Sequence, residues 1–298
     1  MAFRSGFVAI VGRPNVGKST LMNSVVGEKV AIMSDKPQTT RNKIRCIYTT
    51  DSAQVIFVDT PGIHKPKHRL GEVLNQAALS TLKEVDAILF VVEATAQPGP
   101  GDEFIIEHLV KVNTPVLLVV NKIDQLPDKQ AVLPIIEAYR DLLPFAEIVP
   151  VSALYRDNLD RLVEVLFNYL PEGPMYYPPD MVTDHPERFI VAEIIREKIL
   201  HLTRDEVPHS VAVEVEEMKE RSSNLVYVRA NIYVERESQK GIIVGHQGRM
   251  LKQVGQLARQ DLENLLGSKL YLDLWVKVKK DWRNREQILR QFGYREED

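Results

Sequence analysis

Apolar and polar positions divide this chain into two rhythms. In the first half, short unbroken apolar runs recur: Phe7-Val8-Ala9-Ile10-Val11, Val55-Ile56-Phe57-Val58, Ala87-Ile88-Leu89-Phe90-Val91-Val92, Val116-Leu117-Leu118-Val119-Val120 and Ile148-Val149-Pro150-Val151. Runs that do not alternate with polar residues belong to strands covered on both faces. Helical stretches lie between them, near 101–112 and 133–143. A last one, near 158–170, spaces Leu159, Leu162, Val163, Leu166 and Phe167 along one face. The pattern predicts a doubly wound α/β domain, with ligands at the carboxyl ends of its strands.

Four prolines and a glycine within residues 170–179 then break any helix or central strand. A semi-rigid linker is expected there, with domains over 1–171 and 187–298 and the linker over 172–186. The second rhythm reads as a helix (189–202), strands 210–217 and 225–234, a glycine-bearing turn, a long helix to about 266, and a strand 270–279. This α-β-β-α-α-β order contains no second copy of the first domain's motifs.

Three motifs end apolar runs of the first half, in order. In Gly12-Arg13-Pro14-Asn15-Val16-Gly17-Lys18-Ser19-Thr20 the glycines let successive backbone N–H groups curl around phosphates, at the positive end of the next helix. Lys18 is expected to bridge the β- and γ-phosphates and Ser19 to ligate Mg²⁺. In Asp59-Thr60-Pro61-Gly62, Asp59 is expected to hold Mg²⁺ through water, and the Gly62 N–H to sense the γ-phosphate. Between these motifs, Gln38-Thr39-Thr40-Arg41 offers a hydroxyl to complete the metal shell; Thr40 is favoured, with Thr39 next. In Asn121-Lys122-Ile123-Asp124, the Asp124 carboxylate can accept from the N1–H and 2-amino group of guanine, donors that adenine does not present in that arrangement. Asn121 would tie the base to the phosphate loop, and the Lys122 stem would pack on the ring. Ser152-Ala153-Leu154 is a candidate source of backbone N–H groups for guanine O6.

Ile63 stands where Ras-like proteins place a water-orienting glutamine, and isoleucine cannot hydrogen-bond water. Hydrolysis then needs another group or a monovalent cation, and Asn15 is the candidate K⁺ ligand. His64, Lys65, Lys67, His68 and Arg69 read as a solvated basic loop.

In the second half, Ile243-Val244-Gly245-His246-Gln247-Gly248-Arg249 matches a Gly-x-x-Gly loop between helices, where glycines let a single-stranded backbone approach a helix N-terminus. The candidate RNA contacts are Ile243, Gly245, His246, Gln247, Gly248, Arg249 and Lys252, with Lys277, Lys279, Lys280 and Arg283 on the outer face of the last strand and just beyond it. Charge supports the division. The formal net charge is −3, but from Lys240 onward twelve Lys/Arg face eight Asp/Glu, so the rest of the chain carries an excess of seven negative charges.

Composition excludes little: 44% hydrophobic and 27% charged residues are ordinary for a globular chain. Cys46, the single cysteine, excludes an internal disulfide and reads as a strand residue. Neither a signal peptide nor a transmembrane segment is expected.

Together these residues resemble the Era family of bacterial GTPases, over essentially the whole chain. The resemblance rests on residues 12–19, Gln38-Thr39-Thr40-Arg41, Asp59-Thr60-Pro61-Gly62, Asn121-Lys122-Ile123-Asp124, Ser152-Ala153-Leu154, the 243–249 loop and Trp275-Val276-Lys277-Val278-Lys279-Lys280-Asp281-Trp282-Arg283. It implies a P-loop NTPase G domain followed by an α+β type II KH domain. GTP, GDP and Mg²⁺ would be its ligands. The implied partners are the 3′ end of small-subunit rRNA and the assembling small ribosomal subunit. A cytoplasmic location is implied, with peripheral association at the inner face of the cell membrane. Two departures stand out: residues 154–157 lack the glycine relatives carry before Asn158, and His246 replaces a frequent lysine. Two other readings remain at this stage: a nucleotide-gated binding module with incidental catalysis, and a membrane-associated signalling GTPase whose C-terminal domain binds protein or lipid.

Overall fold

Alternation within the apolar runs decides the first domain. Its strands are β1 (Arg4–Val11), β2 (Ile44–Thr49), β3 (Ala53–Asp59), β4 (Ala87–Glu93), β5 (Val116–Asn121) and β6 (Glu147–Pro150), ordered β2-β3-β1-β4-β5-β6. All neighbours are parallel except β2, which runs antiparallel to β3 at the edge. Val8, Ile10, Leu89, Val91, Leu117 and Val119 enter one core; Ala9, Val11, Ile88, Phe90, Leu118 and Val120 enter the other. Helices α1 (Lys18–Val26), α2 (Arg69–Thr81), α3 (Pro100–Leu109), α4 (Leu133–Arg140) and α5 (Leu159–Phe167) cover the two faces. A sheet buried on both faces needs unbroken apolar strands, which accounts for the runs. Cys46 is fully buried in β2, as a strand residue, and burial raises its thiol pKa. The computed structural model describes residues 2–34, 36, 39–62, 66, 68–222 and 224–294.

The proline-rich segment is tied to the first domain. Gln54 bonds the backbone of Tyr176 and Tyr177, Ile47 N–H donates to Val182 O, and Arg45 pairs with Asp184 at 2.8 Å. The chain then forms α6 (Glu187–Leu202), the single turn α7 (Val207–Ser210), β7 (Ala212–Ser222), β8 (Leu225–Val234), α8 (Glu237–Val244), α9 (Arg249–Leu266), β9 (Lys269–Val278) and α10 (Glu286–Gln291). In the sheet β7-β8-β9, β7 is antiparallel and β9 parallel to β8. Strand β7 extends five residues past its expected end, through two register shifts.

Helix α6 is buried all round from Glu193 to Leu200, charged residues included. A helix of that kind is enclosed by structure on every side. It packs on β7 and α9, and its side chains also reach the first domain at Lys29, Met33 and Thr39. A second contact joins Leu70, Val73 and Leu74 of α2 to Trp282, Leu289 and Tyr294. Among the described residues, no helix is long and apolar enough to cross a membrane.

Candidate functional site

The phosphate loop lies between β1 and α1. Gly17 has φ +98°, and a Cβ there would sit 2.3 Å from Asn121 Nδ2, so only glycine fits. That closeness has a purpose: Asn121 donates to Val16 O at 2.8 Å and accepts from Ala153 N–H at 3.0 Å. Lys122 donates to Asn15 O at 2.6 Å and pairs with Glu93. Asp124 accepts from the Ser152 hydroxyl. The base-reading residues and the phosphate loop are thereby one hydrogen-bonded unit. The Ala153 N–H is engaged by Asn121 rather than free for guanine O6; Leu154 is exposed.

Arg13 anchors the loop sideways: its Nε lies 2.9 Å from the fully buried Asp102 of α3. Thr20 donates to Met33 Sδ and Thr60 to Ile10 O. Pro61 is buried, and Gly62 faces Pro14 across the loop. Asn15 is exposed.

The predicted metal residues converge. Asp59 Oδ2 accepts from Ser19 Oγ at 3.1 Å and from Thr40 Oγ1 at 2.9 Å, although 19 to 40 positions separate these partners in the chain. Asp59 is fully buried and its Oδ1 has no hydrogen-bond partner. A buried carboxylate oxygen left over beside two hydroxyls fits a hard cation with its waters. Among the described residues no cluster of three or more His, Cys, Asp and Glu could hold a metal. Burial raises the Asp59 pKa, opposed by Lys18, Thr40 and Ser19. Burial likewise pushes Lys18 down to about 8, opposed by Asp59. The Lys18 ammonium donates to Gly12 O and Arg13 O, both at 2.8 Å. These two bonds leave the third ammonium donor for a phosphate oxygen.

The cleft over these groups has a volume of about 480 Å³. Its walls include Thr39 and Thr40, and from the second domain Glu197 and His201. No linear signal could have flagged the latter pair, which lies more than 150 residues away. Ile63, His64, Lys65, Lys67, Asp35 and Gln38 lie outside the described residues.

The second site is a groove of about 420 Å³ between α9 and β9, with Gly248, Leu251, Lys252 and Arg259 on one side and Leu270, Leu272 and Leu274 on the other. The turn before it is built by Gly245 (φ +71°), Gln247 (φ +51°) and Gly248 (φ +78°). A Cβ on Gly245 would meet Met250 N at 2.9 Å. His246, Gln247, Arg249 and Lys252 are exposed.

Four expected RNA contacts need correction. Ile243 is fully buried, because the register of α8 turns it inward; its neighbour Ile242 is 47% exposed instead. Lys277 and Lys279 point away from the groove, since β9 alternates and its even-numbered residues face α9. Lys279 donates to Gln291 and lies over the Tyr233 and Phe292 rings. Arg283 is paired with Glu235, so its charge is already satisfied. Lys280 is exposed beyond the strand's end.

A triphosphate-and-guanine cleft at the strand ends, joined to a Gly-x-x-Gly groove, defines the class: a P-loop GTPase carrying a KH nucleic-acid-binding domain. A family model described as "50S ribosome-binding GTPase" matches residues 7–122, and one described as "KH domain" matches 206–283. The chain is 47% identical to an Aquifex aeolicus Era variant solved with GDP and AlF4⁻, with 98% of this chain and 99% of that one aligned and a TM-score of 0.94. Identity, coverage and TM-score are the same for an Era structure in complex with MgGDPNP and nucleotides 1506–1542 of 16S ribosomal RNA. The chain belongs to the Era family, and it is a GTPase that uses guanine nucleotide with Mg²⁺.

Proposed function

We propose that this GTPase is a switch that binds the 3′ end of small-subunit rRNA and acts in small-subunit assembly. The observation that carries the reading is the convergence of Ser19, Thr40 and the unpartnered Asp59 carboxylate oxygen in a chain that also holds a glycine-walled groove. The Era relative solved with MgGDPNP and 16S nucleotides supports the RNA half.

When bound, magnesium supplies charge neutralisation at the β- and γ-phosphates. Ser19 and Thr40 would hold it directly and Asp59 through water. Lys18, held by two loop carbonyls, turns its remaining donor to the β- and γ-phosphates, and the Gly62 N–H faces the γ-phosphate. Asn15 is the proposed K⁺ ligand. Asp124 reads guanine, held in place by the Ser152 hydroxyl. Gly245, His246, Gln247, Gly248, Arg249 and Lys252 form the RNA side, and Lys280 borders it. We assign residues 1–171 to the G domain and 187–298 to the KH domain, with 172–186 as a linker strapped along β2 and β3. The action is cytoplasmic, with a peripheral contact at the inner membrane face as the family resemblance implies.

Crosslinking the GTP-loaded protein to an oligoribonucleotide of the small-subunit 3′ end tests the reading. Crosslinks within residues 245–252 are expected. Failure to bind the oligonucleotide at any nucleotide load, or ATP binding as tight as GTP binding, would refute it.

A further inference from the structure

We propose that the second domain positions Thr40 through Arg196 and Arg41, so that GTP hydrolysis depends on the contact between domains. The inference rests on the reading of Thr40 as a magnesium ligand.

Thr40 sits between α1 and β2, and residues 39–43 around it form neither helix nor strand. The second domain holds it from both sides, with a side chain before it and backbone carbonyls after it. Before Thr40, the Arg196 guanidinium donates to the Thr39 carbonyl. After it, Arg41 is 2% exposed and leaves its own domain entirely: Nη1 donates to Val211 O at 2.6 Å, and Nη2 to His209 O at 3.0 Å and Pro208 O at 3.2 Å. The guanidinium carbon lies 5.8 Å from the centre of the Trp282 ring. Further back, Met33 N–H donates to Glu197 at 2.9 Å, and Met33 O lies 2.8 Å from His201 Nε2.

These clamps are themselves fixed. Arg196 makes two bonds to Glu193, at 2.7 and 2.8 Å, which leaves its guanidinium one orientation in the plane. Burial and the neighbouring Arg196 charge both disfavour the Arg41 cation. The carbonyls of residues 208–211, together with Tyr294 and Glu193 of the same domain, offset that cost, so Arg41 stays where the second domain stays. In a free switch loop the metal-binding threonine leaves when the γ-phosphate does. Here the Thr39 carbonyl and the Arg41 side chain, on either side of Thr40, are held from across the domain boundary, and separating the domains would release them.

The test uses the full-length protein and two variants. Glu193→Gln combined with Arg196→Met removes the donor to Thr39 together with its counter-charge, so that neither member of that ion pair is left buried alone. Thr40→Ala reports the ligand itself. The readouts are GTP turnover against Mg²⁺ concentration, and affinity for GDP. Loss of a charged hydrogen bond that positions a ligand is expected to raise the half-saturating Mg²⁺ concentration about tenfold in the double variant, in the same direction as Thr40→Ala, with GDP affinity changed by less than about twofold. If Thr40→Ala shifts the Mg²⁺ curve and the double variant does not, the positioning role is wrong. A double variant that loses GDP and GTP affinity equally, at unchanged Mg²⁺ dependence, likewise overturns it in favour of a structural role. If Thr40→Ala itself leaves the curve unmoved, the magnesium-ligand reading falls first.

Discussion

Lys29 and Asp261 form an ion pair at 2.8 Å, although 232 positions separate them. Lys29 follows α1, the helix that springs from the phosphate loop; Asp261 lies on α9, the helix that begins at the Gly-x-x-Gly turn. Both share their partners, since Glu197 and Lys198 of α6 close the network. Lys29 is raised in pKa against the pull of burial, and Glu197 and Asp261 are lowered against it. The nucleotide cleft, whose walls include Lys29 and Glu197, is therefore joined through one charged cluster to α9, the helix that borders the RNA groove.

Lys29→Ala should weaken the dependence of RNA affinity on nucleotide. Because the lysine is about one-third exposed, solvent screens the pair and the effect is modest, about two- to fivefold in the ratio of RNA dissociation constants for the GTP-analogue and GDP forms. Fluorescence anisotropy with a labelled oligoribonucleotide measures it. An unchanged ratio would exclude this cluster as a coupling route.

Asp124→Asn should exchange guanine for xanthine preference. The amide can still accept from N1–H but now donates toward position 2, where xanthine carries an oxygen and guanine an amino group. Loss of a charge-assisted bond and a donor–donor clash should cost GTP about a hundredfold or more in affinity while XTP gains. Competition binding with the two nucleotides decides the matter.

GTP binding should take up a proton at alkaline pH. In the free protein Lys18 is held down to about 8, whereas phosphate oxygens would raise it. Above that value the free lysine is increasingly neutral, so binding must recruit a proton and affinity falls up to about tenfold per pH unit; below it, Lys18 adds no pH dependence. Calorimetry in buffers of different ionisation enthalpy should show little Lys18-linked uptake at about pH 7.5 and close to one proton at about pH 9.

Gly248→Asp should separate the two sites. A Cβ there meets nothing within 4 Å, but φ is +78° and the carboxylate would face an approaching phosphate. RNA affinity is expected to fall at least about tenfold with GTP turnover in the absence of RNA unchanged. Gly245→Ala is different in kind: contact with Met250 backbone forces the turn to move, so stability should fall as well, by about 1–3 kcal/mol in a thermal or urea unfolding assay.

The apolar runs, and the three motifs at their ends, made the first domain legible, because a strand buried on both faces and a loop built around phosphates each constrain consecutive residues. The same local logic placed the Gly-x-x-Gly turn between helices. It failed where one residue of helical register mattered, at Ile242 and Ile243, and although it put Lys277 and Lys279 on the outer face of the last strand, it did not show that the groove opens along the opposite face.

What the chain's order of residues determined alone was the chemistry available at each strand end: a glycine-rich loop after β1, the Asp59 carboxylate at the end of β3 and the Asp124 carboxylate just past β5. Only the tertiary structure decided how the domains meet. Arg41 and Trp282, or Thr39 and Arg196, carry no mutual signal along the chain, because burying a guanidinium under another domain's carbonyls depends on packing between elements more than 150 residues apart.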